Sequence, residues 1–394
     1  MSKFALVSVL LFCSGLTGCL GSDEGFEWPS PTEQDCTLVE EFNLECETYI
    51  PGRETPHYSL SNPENGDLWI IYLSGFIRSW DGTSLSEVVD LSSLVSRCHM
   101  EQGLLGFAFD DDFTNSNLIL ISYIENGPCE GDNESDLILA SLQVGDNGLI
   151  DKSTITTLRI IDQPYRNHNG GQLLSIGNNQ YLLGLGDGGS GSDPDGHGQN
   201  KNNSLGTINL FSFLDNEIKP VLESSDQDPY VLHYGLRNPW RFSLGVDNML
   251  WISDVGQNCW EEVNLVPLNE TKNLGWSSKE AFQYFDKNSN CESDETYQDD
   301  NLTYPVTHYG HQDGKCSITG GYWMDWGPES LRDGYLYGDF CSGMIWLLKE
   351  DKGQWIPNYV GNSGGMIVGF GQGIDDEILI FQWTGDILAL KYLN

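Results

Sequence analysis

Short apolar segments recur along the chain, each opened by a turn-forming residue. Residues 66–71 (GDLWII) are typical, because Gly and Asp precede a run with the composition of a buried β-strand. A second, shorter segment follows at a variable distance, often opened by Gly. The first segment occurs at residues 66–71, 117–121, 179–183, 248–252, 333–337 and 376–380. The second occurs at residues 75–77, 137–139, 206–208, 262–264, 343–346 and 385–388. The pattern predicts six β-hairpin units of an all-β protein.

These units predict a six-bladed β-propeller of four-stranded antiparallel blades. A hairpin cannot bury both faces alone, and repeats solve this by stacking on neighbours, which in a propeller leaves only short, protected edges. No run of ten or more residues has helical periodicity. A large β-sandwich is the alternative, but it would not explain a sixfold unit. We expect residues 36–394 to form one propeller domain, with function carried by the long inserts at residues 184–204 and 265–320.

The first residues have the pattern of a bacterial lipoprotein signal. Residue 3 is Lys, and residues 4–12 form an apolar run too short to span a bilayer. Residues 16–19 (LTGC) match a lipobox, which predicts cleavage before Cys19 and its lipidation, and Leu20 favours the outer membrane. We expect a signal peptide over residues 1–18 and a tether over residues 19–35. An ordinary secretory signal cleaved nearby is the alternative.

The cysteine count also indicates export. Besides Cys13 and Cys19 the chain has eight cysteines, and an even number in an exported protein favours disulfides. Sequence order suggests Cys36–Cys46, Cys98–Cys129, Cys259–Cys291 and Cys316–Cys341. Many other connectivities are available to eight cysteines. No Cys-x-x-Cys pair occurs, so a thiolate metal site is not expected.

The net charge of −39, from 58 acidic and 19 basic residues, narrows the range of partners. A nucleic acid would be repelled, and the chain has no basic stripe to bind one. We expect contact with a membrane only through the lipid anchor. Acidic loops suit calcium, which prefers hard oxygen ligands, although a solvated acidic surface accounts for most of the carboxylates.

Five polar, Gly-rich segments are candidates for a functional site. They are EQGLLGFAF at residues 101–109, NHNGGQL at 167–173 followed by GDGG at 186–189, YGLRNPWR at 234–241, DVGQNCWEEVN at 254–264 followed by NLGW at 273–276, and ITGGY at 318–322 followed by GDFCSG at 338–343. In this order they resemble the soluble quinoprotein sugar dehydrogenases, the glucose/sorbosone dehydrogenase family of six-bladed propellers. The resemblance covers roughly residues 50–390.

The resemblance implies a catalytic base and a cofactor, pyrroloquinoline quinone (PQQ). His168 matches the base, and a histidine suits this role because its ordinary pKa is near neutrality. Asp187 matches the carboxylate that orients the histidine. Arg237 and Asn238 match the pair that contacts the quinone, where a fixed guanidinium would stabilise developing negative charge. Glu101 and Asn167 stand at further cofactor-contacting positions.

The resemblance also implies two calcium sites. The carbonyl groups of Gly256 and Gln257 match ligands of the ion that lies on the quinone, where a Lewis acid would polarise the quinone carbonyl. Glu262 and the Leu274 carbonyl match part of a second, structural site. An acidic turn without metal is the alternative at that second site.

Several positions depart from the family pattern. Glu101 stands where glucose-oxidising members have Gln, and Asn167 where they have Asp. Those enzymes hold the three carboxylates of the quinone with a Lys and two Arg from late blades, but here Cys341 falls near the Lys position and no Arg follows Arg332. Local cations are needed to hold a trianion in so acidic a protein. Candidates to assist Arg237 are Arg241, Lys315 and Arg332.

The function that the resemblance implies is oxidation of an aldose or a related sugar or polyol. His168 would take a hydroxyl proton while hydride passes to PQQ, and electrons would leave to an acceptor that the sequence does not identify. Two alternatives stay open: a calcium-stabilised propeller without cofactor that binds glycans or proteins, and a propeller hydrolase such as a sugar lactonase. The missing cations favour the first alternative, whereas the intact set of His168, Asp187, Arg237 and Asn238 favours oxidation.

Overall fold

The apolar repeat corresponds to the second and third strands of six sheets. In the computed structural model, which describes residues 34–287, 291 and 296–393, the described chain forms six antiparallel sheets with at least four strands each. In the first sheet, for example, the predicted segments at residues 66–71 and 75–77 become the strands Leu68–Tyr72 and Phe76–Trp80. The six-bladed β-propeller predicted from the sequence is therefore confirmed.

We number the blades in chain order from the first complete sheet. Blade 1 contains Pro56–Ser61, Leu68–Tyr72, Phe76–Trp80 and Leu85–Asp90. Blade 2 contains Leu104–Phe109, Leu118–Ile124, Leu137–Val144 and Ile150–Ile161. Blade 3 contains Leu173–Gly177, Gln180–Leu185, Thr207–Leu214 and Glu217–Pro220, with Val231–Tyr234 as an added strand.

The later blades carry the additional elements. Blade 4 contains Pro239–Leu244, Met249–Asp254, Trp260–Pro267 and Thr307–Gly310. Blade 5 contains Ile318–Trp323, Tyr335–Asp339, Met344–Asp351, Gln354–Asn362 and the added strand Thr37–Leu38. Blade 6 contains Ile367–Gln372, Ile378–Gln382, Ile387–Tyr392 and Leu44–Ile50. A small hairpin joins Lys279–Glu280 to Gln283–Tyr284. Helices in the described residues are limited to Phe113–Ser116 (α) and Glu40–Phe42, Val246–Asn248 and Glu329–Leu331 (3-10).

Two ends of the chain close the ring. Leu44–Ile50 pairs antiparallel with Ile387–Tyr392, so the outer strand of the last blade comes from the beginning of the chain. The first strand of blade 6 also contacts the first strand of blade 1. Closure thus leaves no open gap between the first and last blades, as expected for a propeller.

Aromatic side chains fill the spaces between neighbouring blades. The Trp69 ring of blade 1 packs on Phe107 and Phe109 of blade 2, with ring centroids 6.0 and 5.2 Å apart. Trp251 of blade 4 stacks on Tyr335 of blade 5 at 4.7 Å. Each such buried aromatic side chain stabilises the fold by about 1.5–3 kcal/mol relative to exposure. Packing of this kind holds the six sheets in a ring that can support loops at its ends.

Four disulfides join the cysteine pairs suggested by sequence order: Cys36–Cys46, Cys98–Cys129, Cys259–Cys291 and Cys316–Cys341. Disulfides of this number indicate a protein that folds outside the cytoplasm. No helix in the described part of the chain is both long and apolar enough to cross a membrane. The proposed signal peptide, Cys19 and most of the tether lie outside the described residues.

Candidate active site

One cavity lies where all six blades meet at one end of the ring. About 660 Å³ of space free of protein atoms lies within it, part of which is open to solvent. Its lining residues lie at the start of the first strand of a blade or just after the second strand. Because these two strands are antiparallel, the start of one and the end of the other lie at the same end of the ring. They are Leu73, Met100, Glu101, His168, Arg237, Asn238, Trp240, Val255, Cys316, Ser317, Ile318, Thr319, Phe340, Ile367, Val368 and Trp383.

His168 and Asp187 form a buried pair on the cavity wall. The His168 Nδ1 lies 2.7 Å from Asp187 Oδ1, and only 1% of the histidine is exposed. We assign the Nδ1 proton to the histidine, since an ionised carboxylate can only accept. The Nε2 atom has no hydrogen-bond partner among the described residues and belongs to a side chain that lines the cavity. The pair therefore presents the lone pair of Nε2 to a ligand.

The loop geometry around His168 explains the flanking glycines. His168 has a φ of +56°, in the left-handed region that non-glycine residues rarely adopt. Gly186 lies so close to the His168 carbonyl that a Cβ at this position would collide with it. The Gly-rich segments on both sides of His168 and Asp187 thus let two loops approach closely enough to form the pair.

Asp187 is itself held by a residue to which the sequence assigns no role. Trp276 Nε1 donates a hydrogen bond of 2.8 Å to Asp187 Oδ2, while the backbone N–H of Gly189 donates to Oδ1 at 3.0 Å. Trp276 comes from the long insert of blade 4, far from Asp187 in sequence. A tryptophan in a Gly-containing segment is the signal that could have pointed to it.

Arg237 is a buried cation at the floor of the cavity. Its Nη1 donates to the carbonyl oxygens of Val255 and Gly256 at 3.1 and 2.8 Å, and its guanidinium lies 5.7 Å from the Trp276 ring centroid. Asp254 accepts the Arg237 backbone N–H at 2.9 Å. Burial, with the nearby Glu262 carboxylate as the second cause, raises the pKa of Asp254 well above its ordinary value.

Glu101 joins the loop that contains His168 to the loop that contains Asn238. Its Oε2 accepts the backbone N–H of His168 at 2.6 Å and the Asn238 side-chain amide at 3.1 Å. Asn167, by contrast, is not among the described lining residues. Its Oδ1 accepts the Ser190 N–H at 3.0 Å. The structure therefore brings Glu101, His168, Arg237 and Asn238 together and places Asn167 behind them as a loop-stabilising residue.

Several polar atoms of this set are buried without a partner in the described residues. They are His168 Nε2, Arg237 Nε and Nη2, and Asn238 Oδ1. Buried polar groups in proteins are nearly always hydrogen-bonded, so their convergence in one cavity indicates a ligand or water with complementary groups. Two Arg donors beside an unpaired imidazole nitrogen fit a ligand rich in oxygens, including the carbonyls of a quinone.

Gly256 and Gln257 lie on a loop held by another residue that the sequence analysis missed. Glu280 Oε1 accepts backbone N–H groups from residues 257–260, at 2.7, 2.9, 3.1 and 3.3 Å in chain order. Successive N–H groups aimed at one carboxylate form an anion-binding turn. No group of three or more His, Cys, Asp or Glu side chains suited to a metal occurs in the described residues. Calcium takes six to eight oxygens, so an ion on the Gly256 and Gln257 carbonyls needs additional oxygens from a ligand or water.

The predicted second calcium position contains a lysine. Lys279 Nζ lies 3.7 Å from Glu262 Oε2, which also accepts the Ala281 N–H at 3.1 Å. Glu262 Oε1 accepts the Asn264 side-chain amide at 3.1 Å. Leu274 is fully buried, and its N–H donates to the Tyr234 carbonyl.

The three candidate cations for a carboxylate-rich cofactor point elsewhere. Arg241 contacts His57 and the Trp240 carbonyl, and Lys315 lies 3.3 Å from Asp313. Arg332 donates to backbone carbonyls of its own loop. None of the three is among the described lining residues, which leaves Arg237 as the permanent cation of the cavity. Cys316, which is bonded to Cys341, and Phe340 line the cavity, and they make the wall near the expected Lys position apolar.

The fold and site define a six-bladed propeller protein with a loop-built cavity at the end of the ring, where a few polar side chains converge within a largely apolar lining. The model of the glucose/sorbosone dehydrogenase family matches residues 54–324, and the chain belongs to this family.

Solved structures with the same fold include two sugar dehydrogenases. The soluble aldose sugar dehydrogenase of Escherichia coli in the apo-form has a TM-score of 0.70 at 19% identity, over 89% of this chain and 99% of that one. The PQQ-bound aldose sugar dehydrogenase of Streptomyces coelicolor has a TM-score of 0.66 at 17% identity, over 88% and 98%. At such identities the likeness shows the fold.

Two curated plant proteins are similar over part of the chain. The HIPL2 protein of Arabidopsis thaliana is 30% identical over 230 residues, which is 50% of this chain and 32% of that protein. The HIPL1 protein is 32% identical over 211 residues, 46% and 30%. The matched segments thus span about a third of the curated relatives.

Proposed function

We propose that this protein oxidises an aldose or a related sugar or polyol, with PQQ as cofactor and Ca²⁺ as its partner ion. The observation that carries the proposal is the convergence of unpaired His168, Arg237 and Asn238 atoms in one cavity. Family membership and the PQQ-bound form of a structural neighbour support it.

His168 acts as the general base in this proposal. Asp187 accepts the Nδ1 proton and so fixes the tautomer, which leaves the Nε2 lone pair to receive a proton from the substrate hydroxyl. The Trp276 bond to Asp187 keeps that carboxylate in place as charge develops on the imidazole. Burial of the pair excludes water, which strengthens this electrostatic assistance.

Arg237 and its neighbours would hold the cofactor. The free Nε and Nη2 donors suit carbonyl oxygens, and Asn238 and Glu101 lie beside them. Ca²⁺ would contact the Gln257 carbonyl and the Gly256 carbonyl, which it would share with Arg237 Nη1 at 2.8 Å, so negatively charged ligand oxygens would have to offset the repulsion between the two cations. When bound, PQQ supplies a two-electron acceptor for the substrate hydride. The Arg237 guanidinium would then stabilise negative charge that develops on ligand oxygens beside it.

The test is a titration of purified protein with PQQ in the presence and absence of Ca²⁺, followed by a panel of sugars and polyols with an artificial electron acceptor. We expect uptake at micromolar PQQ that requires Ca²⁺, and turnover with at least one aldose. Because the ion needs oxygens beyond the two backbone carbonyls, its binding at this site should strengthen when the quinone is present. A protein that takes up no PQQ at this concentration would contradict the proposal.

A second candidate is a propeller without cofactor that binds glycans or proteins. It is favoured by the presence of Arg237 as the one Arg or Lys among the described lining residues, and by the apolar wall around Phe340, whose ring lies 5.9 Å from that of Trp383. Aromatic rings are suitable surfaces for sugar rings. Binding of glycans by protein that takes up no PQQ would select this alternative.

We also propose that the protein acts in the cell envelope, attached through lipidated Cys19. The lipobox at residues 16–19 supports this, as do the disulfides. Radiolabelled fatty acid should enter the wild-type protein and be absent from Cys19→Ser. Release of Cys19→Ser into the soluble fraction is expected, and equal membrane retention of both forms would contradict anchoring.

A further inference from the structure

The pair formed by Lys279 and Glu262 is buried to an extent unusual for charged side chains. Only 1% of the Lys279 side chain and 9% of the Glu262 side chain are exposed. The ammonium lies 3.7 Å from Glu262 Oε2 and 5.4 Å from the centroid of the Tyr304 ring. Lysine is almost never fully buried unless it is paired. A carboxylate and an aromatic face are suitable surroundings for such a cation.

We infer that Lys279 is a built-in cation that takes the place of a structural calcium ion at Glu262. Glu262 accepts hydrogen bonds from Asn264 and Ala281, and its Oε2 atom lies 3.7 Å from the Lys279 ammonium, so the cation beside this carboxylate is the lysine. A divalent ion at Glu262 would also lie within a few ångströms of the Lys279 ammonium. Two like charges at that distance repel strongly in a buried environment. The donor set therefore does not fit calcium while Lys279 is present.

The stem of Lys279 is also fitted to this position. It packs directly over Gly275, where a Cβ would collide with the lysine methylene groups. Gly275 has a φ of +101°, which only glycine adopts readily. The glycine thus opens the space through which the ammonium reaches Glu262.

The segment that contains Lys279 contacts two parts of the site, the His168–Asp187 pair and the loop of residues 257–260. Trp276, on one side, donates to Asp187, and Glu280, on the other, accepts the N–H groups of the 257–260 loop. Lys279 acts through these two neighbours and is a positioning residue. This inference is independent of the reaction that we propose, because it concerns which cation holds the segment.

The experiment compares thermal unfolding and calcium binding of four forms: wild type, Lys279→Ala, Glu262→Gln, and the double variant. Glu262→Gln alone, with Lys279 present, should bind calcium as the wild type does. Lys279→Ala should melt at a lower temperature, and millimolar Ca²⁺ should restore part of the loss, because the carboxylate is then free to take a metal. The double variant should show no such rescue.

Controls keep the result interpretable. Lys272→Ala removes a lysine that pairs at the surface with Glu270, and it should gain no calcium response. Lys279→Arg keeps the charge and should stay calcium-independent. If Lys279→Ala does not fold, Lys279→Met, which keeps the stem, takes its place. Loss of a bound calcium ion on Glu262→Gln in the wild-type background would overturn the inference, as would a Lys279→Ala protein indifferent to Ca²⁺.

Discussion

The two ring nitrogens of His168 have different tasks. Nδ1 is committed to Asp187, whereas Nε2 belongs to the cavity and is unpaired in the described residues. Arg237, only 1% exposed, lines the same cavity. At this scale the site is an imidazole and a guanidinium, each oriented by buried partners.

His168→Ala should therefore retain uptake of PQQ and Ca²⁺ while turnover falls by about 10²–10⁴-fold, the usual contribution of a positioned general base. Titration and steady-state assays with one sugar would measure both quantities. Trp276→Phe is the matched variant, since it removes only the hydrogen bond to Asp187. It should lower turnover less and shift the pH–rate profile. Near wild-type turnover in His168→Ala would remove His168 from the role of base.

The short motifs contain the proposed site residues, of which Glu101, His168, Arg237 and Asn238 line the cavity, but they do not identify the residues that hold this set in place. His168, Asp187, Glu101, Arg237 and Asn238 stand in short Gly-rich segments, whose spacing is constrained locally. Trp276, Lys279 and Glu280 come from a long insert, and what they contact depends on how that insert folds across the ring. Short motifs do not show which path a long insert takes.

At the scale of elements, the loop of residues 257–260 is shaped from outside by Glu280. Four of its N–H groups donate to one buried carboxylate oxygen, so the carbonyls of Gly256 and Gln257 are directed away from that carboxylate. Gly256 is required because Glu280 and the Trp260 carbonyl leave no space for a Cβ.

Glu280→Ala should disorder this loop. Its buried N–H groups would lose their acceptor, at a cost of about 1–3 kcal/mol in the free energy of unfolding. Denaturant unfolding would measure this loss, and calcium-dependent PQQ uptake should weaken in parallel. Glu270→Ala, which removes a largely exposed carboxylate paired with Lys272, is the control and should leave both unchanged. Equal behaviour of the two variants would rule out an organising role for Glu280.

The Cys316–Cys341 disulfide fixes the start of the first strand of blade 5 to the end of its second strand. Replacing both cysteines by Ser should lower the free energy of unfolding by about 2–4 kcal/mol, from the entropy regained by the unfolded chain. Since Cys316 lines the cavity, ligand affinity should fall as well. The same change at Cys36–Cys46, near the chain start, should affect stability alone. Unchanged ligand affinity in the first variant would separate the disulfide from the site.

The sequence predicted the second and third strands of each blade but not the outer ones, for a physical reason. Middle strands such as Leu68–Tyr72 are buried on both faces and therefore uniformly apolar. Outer strands such as Ile150–Ile161 and Gln354–Asn362 are largely exposed and have a mixed composition. The first strand of blade 5 is interrupted by Gly320 and Gly321, which hides its pattern.

At the scale of the whole molecule, buried histidines connect stability to pH. Burial, with a smaller effect from the nearby Lys272 charge, lowers the pKa of His233 to about 3. Its Nδ1 accepts the Lys272 N–H at 3.2 Å, so the folded protein needs the neutral ring. An unfolded histidine takes a proton near pH 6.5. Below that pH the unfolded state therefore binds a proton that the folded state refuses.

His233 should thus stabilise the protein fully above about pH 6.5 and progressively less as the pH falls toward about 3, by about 1.4 kcal/mol per pH unit. His233→Asn keeps an acceptor without a proton to gain. Its free energy of unfolding should depend less on pH than that of wild type across this window. Parallel pH profiles for the two proteins would contradict the assignment.

The pairing of Leu44–Ile50 with Ile387–Tyr392 also governs the order in which the molecule can fold. This contact has one of the largest sequence separations available in the chain, so its loop-closure entropy is high and its formation is slow. A chain that emerges from a translocation pore beginning with its N-terminus must keep that early strand unpaired until the last strand arrives. The first strand therefore waits with its backbone groups open, in a compartment where a partner chain could pair with it.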